Sequence, residues 1–268
     1  MGEEYKSMVV FLGGGRITGA LCAGLRLAGD RREILVHDRN PEKVRELRRE
    51  SGVRAASDVK SAVQRASMVV LAVRPASVVE MLSEVRASGV TPGLCVSLAA
   101  GVPLRNLRAA LPGARWVRAM PSPVCRIAQG LTSVCFDRGV GKRERVRVRE
   151  FFERVGQIVE IPERQCDPFT AAFSSSHGYH AVLTLAEQAR RAGLDRETAL
   201  SAAAHALGDG IHYWRESGSS LEELLHEAAT PGGTAAATMA AMDRAGYARV
   251  VAKGLAAGIG QARRNARR

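Results

Sequence analysis

Two glycine-bearing segments stand out as places where this sequence gives up helix or strand propensity for access to the main chain. Gly13-Gly14-Gly15-Arg16-Ile17-Thr18-Gly19 follows the apolar run Met8-Val9-Val10-Phe11-Leu12, and Thr230-Pro231-Gly232-Gly233-Thr234 interrupts an alanine-rich C-terminal half. A glycine inside a helical region costs roughly 1 kcal/mol of propensity, so glycines placed there point to backbone amides that a ligand uses. A strand running into a G-x-G turn and then a helix suits a dinucleotide. The glycines permit the tight turn and let a pyrophosphate reach helix-N-terminal amides. Thr18 stands where a third small residue is usual. The second segment opens another helix and suits a carboxylate held around Gly232, Gly233 and Thr234, with Thr230 beside them.

A second strand would end at His37-Asp38-Arg39-Asn40, which mixes two signals. A carboxylate there serves the ribose hydroxyl of NAD, whereas an arginine holds the extra phosphate of NADP. Arg16 and Arg39 lean the reading to NADPH, with NADH left open. Val73-Arg74-Pro75 and Leu98-Ala99-Ala100-Gly101-Val102 follow two further strand ends, where an open parallel sheet places its ligands. The candidate cofactor residues are therefore Gly13, Gly14, Gly15, Arg16, Ile17, Thr18, Arg39, Ala72, Val73, Arg74, Pro75, Ala99, Ala100 and Gly101.

These segments need a scaffold, and the apolar pattern supplies one. Strands are expected over 9–12, 34–36, 68–73, 94–98, 116–119, 132–136 and 158–161; the unbroken run Met68-Val69-Val70-Leu71-Ala72-Val73 fits a strand buried on both faces. Pro41 takes the first turn of an intervening helix. The expectation is an α/β fold, with an N-terminal doubly wound sheet of Rossmann type followed by an all-α domain. Residues 1–162 would form the dinucleotide-binding domain and 163–268 the helical one, with helices over 169–192, 196–216, 221–229 and 234–264. Gly193 and Gly218 sit where C-caps belong, and Ser219-Ser220 before Leu221-Glu222-Glu223 reads as an N-cap. Small alanine faces on long helices call for a covering partner, so a homodimer or higher homo-oligomer is expected.

Composition bounds the rest. The 268 residues, 46% of them hydrophobic, suffice for a sizeable core. No apolar run approaches the roughly 20 residues of a membrane span, and the N-terminal segment lacks a signal-peptide core, so a cytoplasmic protein without a membrane partner is expected. The five cysteines are odd in number, widely spaced and lack a C-x-x-C pair, which argues against a disulfide framework or a metal site. A net charge of +12 raises the question of nucleic acid, but acidic residues interrupt the cluster at 142–149 and aromatics are only 4% of the chain. A solvated basic surface suited to anionic small molecules, with no nucleic-acid partner, is the reading.

As a set, these motifs resemble pyrroline-5-carboxylate reductase. In family order the chain carries the strand and G-x-G turn, Leu71-Ala72-Val73-Arg74-Pro75, Ser97-Leu98-Ala99-Ala100-Gly101-Val102, Val117-Arg118-Ala119-Met120-Pro121 and Thr230-Pro231-Gly232-Gly233-Thr234. The resemblance implies a Rossmann domain, a helical dimerisation domain and NAD(P)H-dependent reduction of a cyclic imino acid, pyrroline-5-carboxylate to proline. Three departures stand out. Met120-Pro121-Ser122-Pro123-Val124 replaces M-P-N-T-P, Ser174-Ser175-Ser176-His177-Gly178-Tyr179-His180 replaces S-G-S-G-P-A-Y, and Ala235 replaces the threonine after P-G-G-T to which a substrate hydrogen bond is assigned. The polar residues able to serve instead are Thr234, Tyr179 and His177, with His180 beside them; interface or core packing is the competing role for the aromatic ones. Alternatives for the whole chain are a reductase of another small imine or carbonyl, or a catalytically weakened nucleotide-binding dimer.

Overall fold

The computed structural model describes residues 8–265, so the N-terminal segment examined for a signal peptide and the last three residues of the basic tail lie outside the described residues. Residues 8–172 together with 258–265 form one compact unit, and Phe173–Ala257 form a second.

The first unit is built on an eight-stranded sheet of order β3-β2-β1-β4-β5-β6-β7-β8. Its strands are β1 (Val9–Leu12), β2 (Ile34–His37), β3 (Arg54–Ala55), β4 (Met68–Leu71), β5 (Leu94–Ser97), β6 (Arg115–Pro121), β7 (Gly130–Phe136) and β8 (Gly156–Glu160). All neighbours pair parallel except β6 with β7. The connecting helices are α1 (Arg16–Leu27), α2 (Pro41–Ser51), α3 (Val59–Gln64), α4 (Val78–Ala87), α5 (Leu104–Ala110) and α6 (Lys142–Glu153), with α7 (Cys166–Ala172) after the last strand. Strand alternation splits the apolar residues between two cores. Val9 and Phe11 of β1, with Met68 and Val70 of β4, pack with Leu21, Leu25, Phe151 and Phe152. Val10, Leu12, Val69 and Leu71 face the other way, onto Met81, Leu82, Leu107 and Trp116. A strand walled by helices on both sides has no wet face, which is why these runs read as continuous apolar sequence.

This is the expected doubly wound α/β sheet, with two differences of detail. β3 has no apolar signature because both of its residues are exposed. The third expected strand stops at Leu71, two residues early.

The second unit is helical, as expected, but its helices are more broken than composition suggests. They are α8 (Ser175–Arg191), α9 (Arg196–Ala204), α10 (Gly210–Ser217), α11 (Leu221–Ala228), α12 (Thr234–Arg244) and α13 (Tyr247–Asn265), whose last turns belong to the first unit. The 169–192 helix is interrupted where Ser174 leaves the helical region to cap α8. The 234–264 helix is divided at Gly246, whose φ is 86°. A π turn, His205–Asp209, joins α9 to α10. The anticipated stops are in place: Gly218 is left-handed at φ 73° and Ser220 caps α11 in a capping box with Glu223. No helix among the described residues is long and apolar enough to cross a membrane.

α1 lies on the turn Pro123–Ile127, and its closest approach is at Gly24, where an added Cβ would come within 1.9 Å of the Cys125 carbonyl oxygen. Alanine is the better helix former by about 1 kcal/mol, yet Gly24→Ala should destabilise the fold by about 1–3 kcal/mol, as overpacking does. Urea unfolding followed by circular dichroism tests this; an unchanged or raised midpoint would contradict the packing.

Candidate active site

Where β1 ends, the chain turns against two neighbouring strands at once. Gly13 has φ 112°, and a Cβ there would lie 2.8 Å from the carbonyl carbon and oxygen of Ala72. Backbone therefore meets backbone, which explains the glycine. Gly13 N–H donates to the carbonyl of His37 at 2.8 Å, and the Thr18 hydroxyl, fully buried, donates to the Gly13 carbonyl at 2.6 Å. The threonine at the third small position thus closes the turn.

Asp38 braces the same turn from β2. Its Oδ2 accepts the Gly14 N–H at 2.7 Å, its Oδ1 accepts the Asn40 N–H at 2.8 Å, and the Lys43 ammonium lies 3.5 Å from Oδ2. Burial works against the charge, but the Asn40 and Gly14 amides together with Lys43 hold the carboxyl below its ordinary value near 3.8.

The helix that follows is open at its start. Gly15 caps α1 with no side-chain hydrogen bond and no acidic residue in the first turn, and a Cβ on Gly15 would meet nothing within 4 Å. The first ladder bond runs from Gly19 N–H to the Gly15 carbonyl at 3.1 Å, so the amides of residues 15–18 have no intrahelical acceptor. Donors, the positive helix end and the missing Cβ fit a dinucleotide's diphosphate. Ile17 packs against the core, while Arg16 is exposed at the first helical position.

The other cofactor candidates fall around this point in different roles. Ala72 and Val73 are partly buried, and Arg74 precedes the 3-10 turn Pro75–Ser77 with its side chain exposed. Ala99 is buried and Ala100 half-buried. Gly101 is left-handed at φ 79°, and a Cβ there would strike the Ala262 carbonyl oxygen at 2.1 Å, so its glycine answers to the end of α13. Arg39 is half exposed; its Nη1 lies 2.8 Å from a Glu80 carboxylate oxygen and its Nη2 bonds Glu84, both on α4. Ser122, at the position of the first departure in the M-P segment, is buried and exchanges bonds with Leu131, its N–H donating to the carbonyl at 3.0 Å and its Oγ accepting the N–H at 3.1 Å.

In the helical unit, Gly233 N–H donates to the Thr230 carbonyl at 2.9 Å, Gly232 is left-handed at φ 81°, and Thr234 is the exposed first residue of α12. α12 also starts without a side-chain cap; its first ladder bond comes from Ala237 to Gly233 at 3.1 Å. His177, Tyr179 and His180 are exposed in the first turns of α8, where His177 N–H bonds the Ser174 carbonyl at 3.0 Å. Burial pushes the thiols of Cys22, Cys95 and Cys125 up to about 12, which keeps them protonated and out of any nucleophilic role at neutral pH.

Two families match different parts of the chain. Residues 8–101 match the family described as NADP oxidoreductase, coenzyme F420-dependent, and residues 163–265 match pyrroline-5-carboxylate reductase dimerisation. A pyrroline-5-carboxylate reductase of Corynebacterium melassecola is 30% identical over 245 residues, spanning 89% of this chain and 91% of that one. The chain belongs to the pyrroline-5-carboxylate reductase family. Among solved structures, a pyrroline-5-carboxylate reductase from Coxiella burnetii superposes with a TM-score of 0.86 at 25% identity, covering 97% of this chain and 98% of that one. The Plasmodium falciparum reductase, solved with NADP bound, has the same fold, with a TM-score of 0.86 at 19% identity over 99% and 100% of the two chains.

For this pyrroline-5-carboxylate reductase family member, sequence reasoning missed the work of Asp38, whose carboxylate is committed to the glycine turn, and the two α4 carboxylates on Arg39. The first had a signal, an acidic residue directly after β2; the second had only Glu80 and Glu84 at helical spacing.

Two expectations follow. Gly15→Asp should abolish NADPH binding and leave the fold intact, because its side chain enters open space in which a carboxylate repels the diphosphate; unchanged affinity by fluorescence titration would contradict the assignment. The Asp38 carboxyl sits below its unfolded value, so its stabilising contribution is present above about pH 4 and lost as pH falls through the folded value. The difference in Tm between wild type and Asp38→Asn should therefore be full at pH 7 and shrink below about pH 4. A difference independent of pH would rule out a charged acceptor at the turn.

Proposed function

We propose that this chain reduces pyrroline-5-carboxylate to proline with NADPH, acting as a homodimer in the cytoplasm. The observation that carries the reading is a family relationship over 89% of the chain in a molecule whose first helix begins with an uncapped, sterically open glycine. NADH remains the second cofactor of the reading.

When bound, the nicotinamide supplies the hydride that saturates the C=N bond. The amides of residues 15–18 hold the diphosphate, with Arg16 as the cation beside it and Arg39 as the cation toward the 2′-phosphate. Loops 72–75 and 99–101, at the ends of β4 and β5, border the cofactor at the edge where parallel sheets place ligands. Thr230, Gly232, Gly233 and Thr234 present amides and hydroxyls to the substrate carboxylate. Ala235 has no hydroxyl, so the hydrogen bond to the ring nitrogen falls to Thr234, with Tyr179 and His177 as the alternative donors. A hydroxyl suits either protonation state of that nitrogen, donating to the imine or accepting from the iminium.

The burial pattern supports the dimer. Among residues 173–257 only Ala199 and Ala203 are buried, while Leu183, Tyr213 and Val250 are 65%, 62% and 65% exposed. A helical unit that leaves its large apolar side chains in water needs a second copy to cover them. The five free cysteines accord with a reducing compartment.

Pyrroline-5-carboxylate-dependent oxidation of NADPH by the purified dimer, followed by its absorbance, tests the activity. Thr234→Ala should lower kcat/KM by about one to two decades, as loss of a hydrogen bond to a charged or developing group does, with Tm unchanged. Wild-type kinetics in that variant would move the contact to Tyr179 or His177.

A further inference from the structure

Just past the end of β2 stands Arg39, a basic side chain that is already engaged. Arg39 Nη1 lies 2.8 Å from Glu80, and Nη2 bonds Glu84. The two glutamates sit one turn apart on α4, so one helix presents both carboxylates to the two arms of one guanidinium. The neighbouring Asp38 is only 14% exposed and spends both oxygens on the amides of Gly14 and Asn40. Those amides hold in place a carboxylate of the kind that at this strand end serves the ribose hydroxyls of NAD. Next to it is the Arg39 cluster, in which one cation faces two anions.

We propose that Glu80 and Glu84 set the choice between NADPH and NADH by holding the Arg39 guanidinium in an ion-pair fork that the 2′-phosphate must displace. The inference rests on Arg39 being the residue that receives that phosphate. Two consequences follow from the charges. A phosphate reaching Arg39 breaks two ion pairs and comes to lie beside two carboxylates, so NADPH is bound less tightly than a free arginine would allow. A cofactor with a 2′-hydroxyl has no need to disturb the fork and is bound independently of it. Exposed pairs of this kind contribute little to folding, so neutralising them leaves the fold in place.

Calorimetric titration with adenosine 2′,5′-bisphosphate and with AMP isolates the contact from the rest of the dinucleotide and from turnover. It is applied to wild type, to the Glu80→Gln/Glu84→Gln double variant and to Arg39→Gln, each with Tm checked. The double variant should bind the bisphosphate about three- to tenfold more tightly and AMP as wild type does, and Arg39→Gln should erase most of the preference for the bisphosphate. Unchanged or weaker bisphosphate binding in the double variant, while Arg39→Gln still loses the preference, would overturn the fork and leave Arg39 as the phosphate's partner. A wild-type preference in Arg39→Gln would overturn both.

Discussion

The approach of two backbones at Gly13 and Ala72 is the constraint on which the cofactor half of this molecule depends. With 2.8 Å between a hypothetical Cβ and the Ala72 carbonyl, only glycine lets β1 turn at that height. Because β1 turns there, α1 begins at the edge of the sheet with its amides unspent. Asp38 and Thr18 then fix the turn from opposite directions, one through the Gly14 amide and one through the Gly13 carbonyl. A residue type often assigned to ligand contact is used here to hold the shape that contacts the ligand. Its lowered pKa belongs to that structural duty.

The two units solve the burial problem in opposite ways. The sheet unit encloses its apolar residues on both faces, with Trp116, Phe11, Phe151 and Phe152 all fully buried. The helical unit buries Ala199 and Ala203 and leaves Leu183, Tyr213 and Val250 exposed, a distribution in keeping with its match to a dimerisation family. The sheet unit holds its own core.

How far sequence reasoning reached depended on whether the local pattern or the tertiary context decided each element. β1, β4 and β5 were legible because a strand covered on both sides must be apolar at every position. β3 was not, since Arg54 and Ala55 are exposed and form a strand only because β2 offers an edge. The stops at Gly218 and Ser220 were legible because caps are local chemistry. The breaks at Ser174 and Gly246 were not, because alanine-rich flanks disguise them, and the π turn at His205–Asp209 has no breaker to announce it. At the site, the glycine turn was readable from its flanking strand and helix. The engagement of Arg39 by Glu80 and Glu84 spans about 45 residues of sequence and carries no motif.

The departure at Ala235 lies outside the glycine turn at which α1 starts. The most direct test of the account is hydride transfer itself. The purified protein is supplied with pyrroline-5-carboxylate and NADPH deuterated at the transferable position of the nicotinamide, and the product is examined by mass spectrometry and NMR. The account expects proline carrying one deuterium at the carbon of the former C=N bond. Tight cofactor binding with no deuterium passed to that carbon would contradict it.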